Sequence, residues 1–305
     1  MRLLFLPLLL LAPAWAGDEQ FNGRWDIKVP HESKSRVWWL EVEGAGSGGP
    51  LKGRFVGFPG GNTDDIPEMS IHDGELTFSA DRNKQHLVYH ARLKGDKLEG
   101  TYESGNDKLQ WTGTRAPTLP DKDDGAWKPG KPVKLFDGKS VAGWKPLIPG
   151  QPLGWSVKDG ILGNQPPANN LVSEKKFWNF DLHAEFRVSA DTNSGIGLRG
   201  RYEVQILDDY GKPPNTHGNG ALYSRILPTE NASRPPGEWQ TVDIRLVGRQ
   251  VSVTLNGKKI IVKQEVEGLT AMASDPSEGE PGPITIQGDH RNVEFRSLVV
   301  TPLVK

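Results

Sequence analysis

The feature that most constrains this chain is its punctuation. Glycine and proline supply 36 and 24 of the 305 residues and recur about every eight to twelve positions, which leaves no room for the long uninterrupted helices of a bundle. Between these breaks lie short runs of alternating character. Residues 20–115 read as seven or eight strands, among them 36–43, 51–58, 75–80, 86–93 and 97–102, joined by hairpin signals such as Asp73-Gly74 and Gly95-Asp96. So many strands in so short a stretch predict a small β-barrel or meander, with a tight sandwich as the other way to remove exposed edges. Gly23-Arg24-Trp25 and Trp111-Thr112-Gly113-Thr114-Arg115 either plug one end of such a barrel with tryptophan and arginine or are core rings with a surface arginine.

At 117–132 the composition changes. Pro117, Pro120, Asp121-Lys122-Asp123-Asp124-Gly125, Pro129-Gly130 and Pro132 predict a linker that forms neither strand nor helix and carries few contacts. From 133 to 305 strands return at 155–157, 181–188, 194–198, 202–207, 241–247, 250–255, 258–262, 284–287 and 292–300, with Asn256-Gly257 as a hairpin turn. No helix is long enough for a parallel crossover, so this second domain is predicted to be an antiparallel two-sheet jelly roll. The chain is thus all-β: a segment 1–16, a small accessory domain 17–116, the linker, and the jelly roll.

Charge and composition narrow the function. Thirty-seven basic residues balance 38 acidic ones, so no field attracts nucleic acid or an anionic membrane. The absence of cysteine excludes thiolate nucleophiles, thiolate metal sites and disulfides. Met1 and Arg2, the apolar run 3–11 and Ala14-Trp15-Ala16 form a secretory signal, with cleavage expected after Ala16 and export to the periplasm or the exterior. No second run approaches the roughly 18 apolar residues of a membrane helix, so no transmembrane segment is expected. Protein partners are not specified by the sequence.

Strand parity sorts the second domain into faces. In 181–188 the even positions are apolar while Asp181, His183, Glu185 and Arg187 alternate with them; in 194–207 Ile196, Leu198, Tyr202, Val204 and Ile206 oppose Gly195, Gly197, Arg199, Arg201, Glu203 and Gln205; Ile284 and Ile286 oppose Thr285 and Gln287. If these strands adjoin, Glu185, Arg187, Arg199, Glu203, Gln205 and Gln287 share one open surface. That surface is either an ordinary solvated sheet face or, because glycines stand beside planar hydrogen-bonding groups, a place for a sugar. His31, His72, His86 and His90 lack ligand spacing. Trp38-Trp39 offers either one stacking platform or two core rings.

The order of motifs is informative as well. Leu135-Phe136-Asp137-Gly138-Lys139, Gly143-Trp144, Trp155-Ser156-Val157-Lys158-Asp159-Gly160, Glu185-Phe186-Arg187, Asn193-Ser194-Gly195-Ile196, Tyr202-Glu203-Val204-Gln205-Ile206, Gly220-Ala221-Leu222-Tyr223, Gly237-Glu238-Trp239 and Leu255-Asn256-Gly257 follow one another. Over residues 133–302 the chain resembles the 3-keto-disaccharide hydrolase domain family, which has a concanavalin A-like lectin/glucanase fold. The resemblance does not reach the first domain. It implies cleavage of a glycoside oxidised at sugar carbon 3, whose carbonyl acidifies the carbon 2 proton, so that a base forms an enolate, the group on carbon 1 leaves and water adds back.

On this resemblance Glu203 is the base. Arg199 and Gln205 hold the enolate or nearby hydroxyls, and Glu185, Arg187, Asn193, Tyr223 and Gln287 complete the substrate-binding set. His290 is either the acid for the leaving group or a hydrogen-bonded loop histidine. Asp208 and Asp209 either join Glu203 around a divalent cation or are turn residues. The retaining-glucanase pattern is broken, because Gln205 stands where a carboxylate is needed and Asp208 has the wrong parity, whereas double displacement needs two carboxyls about 5 Å apart. The other functional class open to the fold is a carbohydrate-binding protein without turnover.

Overall fold

The computed structural model describes residues 17–30, 37–57, 61–82, 85–104 and 106–305; the expected signal segment and His31 lie outside them. Nine strands form the first domain: β1 (Gly23–Lys28), β2 (Val37–Glu43), β3 (Lys52–Val56), β4 (Asp64–Asp65), β5 (Met69–His72), β6 (Glu75–Arg82), β7 (Gln85–Lys94), β8 (Lys97–Ser104) and β9 (Asp107–Arg115). They pair antiparallel in the order β4-β3-β2-β1-β9-β8-β7-β6-β5. The two ends of this path are consecutive in sequence, and Ile66 N to Gly53 O and Ser79 N to Glu68 O tie them to their neighbours. The meander therefore curls into a small barrel. Trp25, Trp38, Phe55, Phe78, Tyr89, Tyr102 and Trp111 pack inside it, so the interior is a filled core. At one end the guanidinium of the exposed Arg115 lies 4.2 Å from the ring centre of the buried Trp25.

The second domain is a sandwich. Its larger sheet runs β13 (Trp155–Lys158), β14 (Ile161–Asn164), β23 (Val293–Val304), β16 (Phe180–Val188), β19 (Trp239–Val247), β20 (Gln250–Leu255), β21 (Lys258–Glu265), with β10 (Lys128–Pro129) and β11 (Val133–Lys134) also paired to β23. Its smaller sheet runs β12 (Trp144–Pro146), β15 (Leu171–Phe177), β22 (Gly282–Ile286), β17 (Asn193–Leu198), β18 (Tyr202–Leu207). Leu182, Ala184 and Phe186 from one sheet meet Ile196, Val204, Ile206, Ile284 and Ile286 from the other in one buried cluster, as alternation requires of an antiparallel jelly roll. No helix of the described residues is long and apolar enough to cross a membrane.

One expectation changes here, and one pair of alternatives is decided. The stretch 117–132 is bound along the jelly roll: Asp121 accepts from Trp178 Nε1 at 2.7 Å and Asn179 Nδ2 at 2.8 Å, Asp123 accepts from Arg245, and Lys128–Pro129 pairs with the end of β23. Proline prevents a long ladder, but it does not stop acidic side chains from finding donors on a neighbouring surface. Trp38 and Trp39 are both buried, so neither is an open platform. Alternation sends Trp38 into the barrel and Trp39 out of it, where Trp39, Val37 and Val56 pack on Leu269 and Ala273 of the jelly roll. Across the same seam, Arg201 Nη2 donates to Asp26 Oδ1 at 2.7 Å, with both side chains almost wholly buried.

Candidate active site

The smaller sheet turns its outward face into a polar recess. Gly195 and Gly197 lie opposite Gln205 and Glu203 across the β17–β18 ladder, and Gly197 also pairs with Thr285. These glycines make room for neighbours: a Cβ at Gly195 would sit 2.2 Å from Glu203 Oε1, and one at Gly197 would sit 2.0 Å from Thr285 Oγ1. The Glu203 side chain thus crosses the bare backbone of β17. Along the outer edge of β18, residues 220–223 run as an irregular flank, through Gln205 N to Ala221 O, Gly220 N to Gln205 O and Tyr223 N to Glu203 O. That pairing brings Tyr223 beside Glu203.

The recess is short of partners. Glu203 is 2% exposed, and no hydrogen bond to its carboxyl is formed among the described residues. Burial, with the charge of Asp289 second, pushes it up to about 8. Tyr223 is likewise raised, first by burial and then by Glu203. Gln205 Nε2 reaches Asn193 Oδ1 at 3.3 Å, but Gln205 Oε1, Thr285 Oγ1 and Gln287 Oε1 are buried with no partner. Buried polar atoms are normally satisfied. Several acceptors left open around one carboxyl call for a ligand that brings O–H donors. At the end of β22, Asp289 Oδ1 meets His290 Nδ1 at 2.9 Å, so the imidazole stands one residue from the charge that acts on Glu203.

A family model described as a 3-keto-alpha-glucoside-1,2-lyase-like domain matches residues 131–301, more than half of the chain. The chain belongs to this family. A curated 3-keto-disaccharide hydrolase from Bacteroides thetaiotaomicron is 25% identical over 151 residues, covering 37% of this chain and 51% of that protein; the chain spans about half the length of this relative. A solved structure from Parabacteroides distasonis, titled a "putative glycosyl hydrolase", is 28% identical, covers 61% of this chain and 92% of its own, and superposes with a TM-score of 0.49. A second from that organism is 22% identical, covers 57% and 94%, and has a TM-score of 0.46.

Within this 3-keto-alpha-glucoside-1,2-lyase-like domain, the residues singled out by parity and by the family resemblance separate into three groups. Glu203, Gln205, Asn193, Tyr223 and Gln287 gather around the recess, and the exposed His290 is linked to it through Asp289. Glu185 and Arg187 do not, because β16 lies in the larger sheet; they point outward from the opposite side of the sandwich, Glu185 paired with Arg296 and Arg187 with Glu294. Both sheets bury their apolar side chains, so parity alone cannot tell one outward face from the other. Arg199 also leaves the array. It occupies the β17–β18 turn at φ +52, donates to Gly248 O at 2.5 Å and stacks 4.5 Å from the Trp178 ring centre.

Asp208 and Asp209 serve the loops. Asp208 accepts from Asp191 N at 2.9 Å, and Asp209 accepts from Asn219 N at 2.9 Å and Ser233 Oγ at 2.6 Å. Among the described residues no group of three or more His, Asp or Glu side chains is disposed to hold a metal. The sequence reading passed over three residues near the recess: Thr285, given only as one of a pair of polar positions; Asp289, quoted only as part of the Gly288-Asp289-His290 run; and His217, whose ring stands edge-on to Tyr223 at 4.7 Å between centres. His217 lies in an irregular loop where no periodicity marks it.

Proposed function

We propose that this is an exported enzyme that cleaves 3-keto-glycosides by elimination followed by hydration, with Glu203 as the base. The observation that carries the reading is the buried, unpartnered Glu203 carboxyl beside three unpaired polar atoms. Burial raises its affinity for a proton toward the range useful in carbon-acid chemistry, and the glycines of β17 leave room for the Glu203 and Thr285 side chains to lie across the strand. In the first step Glu203 takes the proton from carbon 2, and the electron pair forms the enolate of the carbon 3 ketone. Tyr223, whose hydroxyl holds its proton firmly, donates to the enolate oxygen. The enolate then expels the oxygen on carbon 1, which takes up a proton, leaving a carbon 1–carbon 2 double bond. Water adds across that bond, with its oxygen going to carbon 1 and its proton to carbon 2. The net change is hydrolysis of one glycosidic bond with no change of oxidation state. Gln205, Thr285 and Gln287 receive sugar hydroxyls, and His290, oriented by Asp289, supplies the leaving-group proton.

The test is to incubate the full chain with a 3-keto-glycoside and with its unoxidised parent. Release of the aglycone from the keto form alone, slowed by deuterium at carbon 2, is the expected result. Tight binding of both with no product would sink the enzymatic reading in favour of a lectin-like role. The export part of the proposal is checked by sequencing the N-terminus of the released protein, which should begin at Gly17; an intact Met1 in the cytoplasm would refute it.

A further inference from the structure

The barrel touches the rim of the recess. The flank along β18 continues from Tyr223 into Ser224 and Arg225, and both bond to the barrel: Ser224 Oγ to Asn62 Oδ1 at 2.6 Å, and Arg225 Nη1 to Gly61 O at 2.6 Å. Gly61 has φ +57, and a Cβ there would come within 2.4 Å of Ala271 N, so the two backbones are in direct contact. The burial of Trp39 against Leu269 and Ala273 secures the same seam. Ser224 Oγ also meets His217 Nε2 at 2.9 Å, and the His217 ring stands at 86° to Tyr223.

Hydrogen-bonding geometry links these groups in series. Ser224 Oγ thus stands between Asn62 Oδ1 and His217 Nε2, so a side chain of the barrel and the His217 ring meet at one hydroxyl. That ring forms a wall for Tyr223, whose hydroxyl lies within the electrostatic reach of Glu203.

We propose that the barrel completes the mouth of the site: Asn62, acting through Ser224, orients His217 and thereby holds Tyr223 beside Glu203. Asn62 and Ser224 are positioning residues under this proposal, and its catalytic consequence rests on the function proposed above. The barrel is then part of the catalytic unit, although the family match begins only at residue 131.

The experiment uses the full chain with labelled histidine and tyrosine rings. The wild type should show an Overhauser contact between the His217 and Tyr223 ring protons. Asn62→Ala and Ser224→Ala should each abolish it and lower kcat/KM on a 3-keto-glycoside about tenfold, the scale of one lost orienting hydrogen bond. The double variant should be no worse than either single one, as expected of residues acting in series. A ring contact that survives Asn62→Ala overturns the proposal, and so does unchanged kcat/KM once the contact is lost. If the wild type turns over no 3-keto-glycoside, the proposed function falls, and the ring contact by itself decides whether the barrel positions His217.

Discussion

The two outward faces of the sandwich have the same alternation and opposite chemistry. On the larger sheet every conspicuous charge is answered: Glu185 by Arg296, Arg187 by Glu294, His183 by Asp243 and Asp181 by Arg245. The Trp239 ring is clamped between the Arg187 and Arg296 guanidiniums, 4.8 and 4.6 Å from its centre. On the smaller sheet the glutamate has no such partner, and three amide or hydroxyl atoms are left open. The two glutamates shift in opposite directions. The hydrogen bond from Arg296 is the largest influence on Glu185 and lowers it, whereas burial raises Glu203. What separates the two faces is therefore not polarity but unfilled hydrogen-bonding capacity at buried positions.

The sharpest way to break this comparison is to change both glutamates alike. Glu203→Gln should reduce turnover by ~10²-fold or more, the scale of a positioned base, while Glu185→Gln should change it by less than about twofold, as for a surface site remote from the chemistry. Equal losses in a steady-state assay would erase the distinction between the faces. Next in size are the glycines. Gly195→Ala and Gly197→Ala push a methyl into Glu203 and Thr285 and should each cost roughly tenfold in kcat/KM, because displacement by about 1 Å is costly at a reacting centre. Gly163→Ala, on the larger sheet, makes ordinary van der Waals contacts with Glu294 Cγ at 3.5 Å and Val293 O at 3.9 Å and should be silent in the same assay.

A titration sharpens the contrast further. Between its ordinary 4.5 and about 8, Glu203 in the folded protein keeps a proton that the unfolded chain has released. Stability therefore falls as pH rises through that window and levels off above it. Glu203→Gln should remove this part of the slope when Tm is followed from pH 5 to pH 9, leaving the variant more stable than the wild type at the alkaline end. Parallel Tm curves would show that the carboxyl is not desolvated. The smallest effect is expected from Arg296→Ala, which opens a surface pair worth no more than about 1 kcal/mol and should move a denaturant midpoint only slightly.

The sequence made the class of fold and much of the recess legible, because alternation is a local property. Glu203, Gln205 and Gln287 could be placed on an outward face from a handful of neighbours. Which outward face was another matter. Joining β17 to β22 matches Ile196 with Ile286, a pairing across the length of the domain that nothing local encodes, and β16 carries a similar pattern into the other sheet. Arg199 was misplaced because a residue at φ +52 lies in a turn, where the period of two no longer holds. Asn62 could not be foreseen, since the residue that binds it is Ser224 in the other domain.

The buried pair of Asp26 and Arg201 bears on modularity. A barrel joined by a proline-rich stretch looks like a part that evolution or an engineer could exchange freely. Deleting it would strip Arg201 of its carboxylate, and removal of one member of such a buried pair typically costs about 3–5 kcal/mol. Arg201 also lies two positions before Glu203 and donates to Asp275 O and Pro276 O, so the disturbance would start in the segment that carries the proposed base. A transplantable version of the jelly roll would have to replace Arg201 in the same step with a neutral side chain able to cap those carbonyls. The two halves are distinct in topology, but as units of inheritance they are tied together.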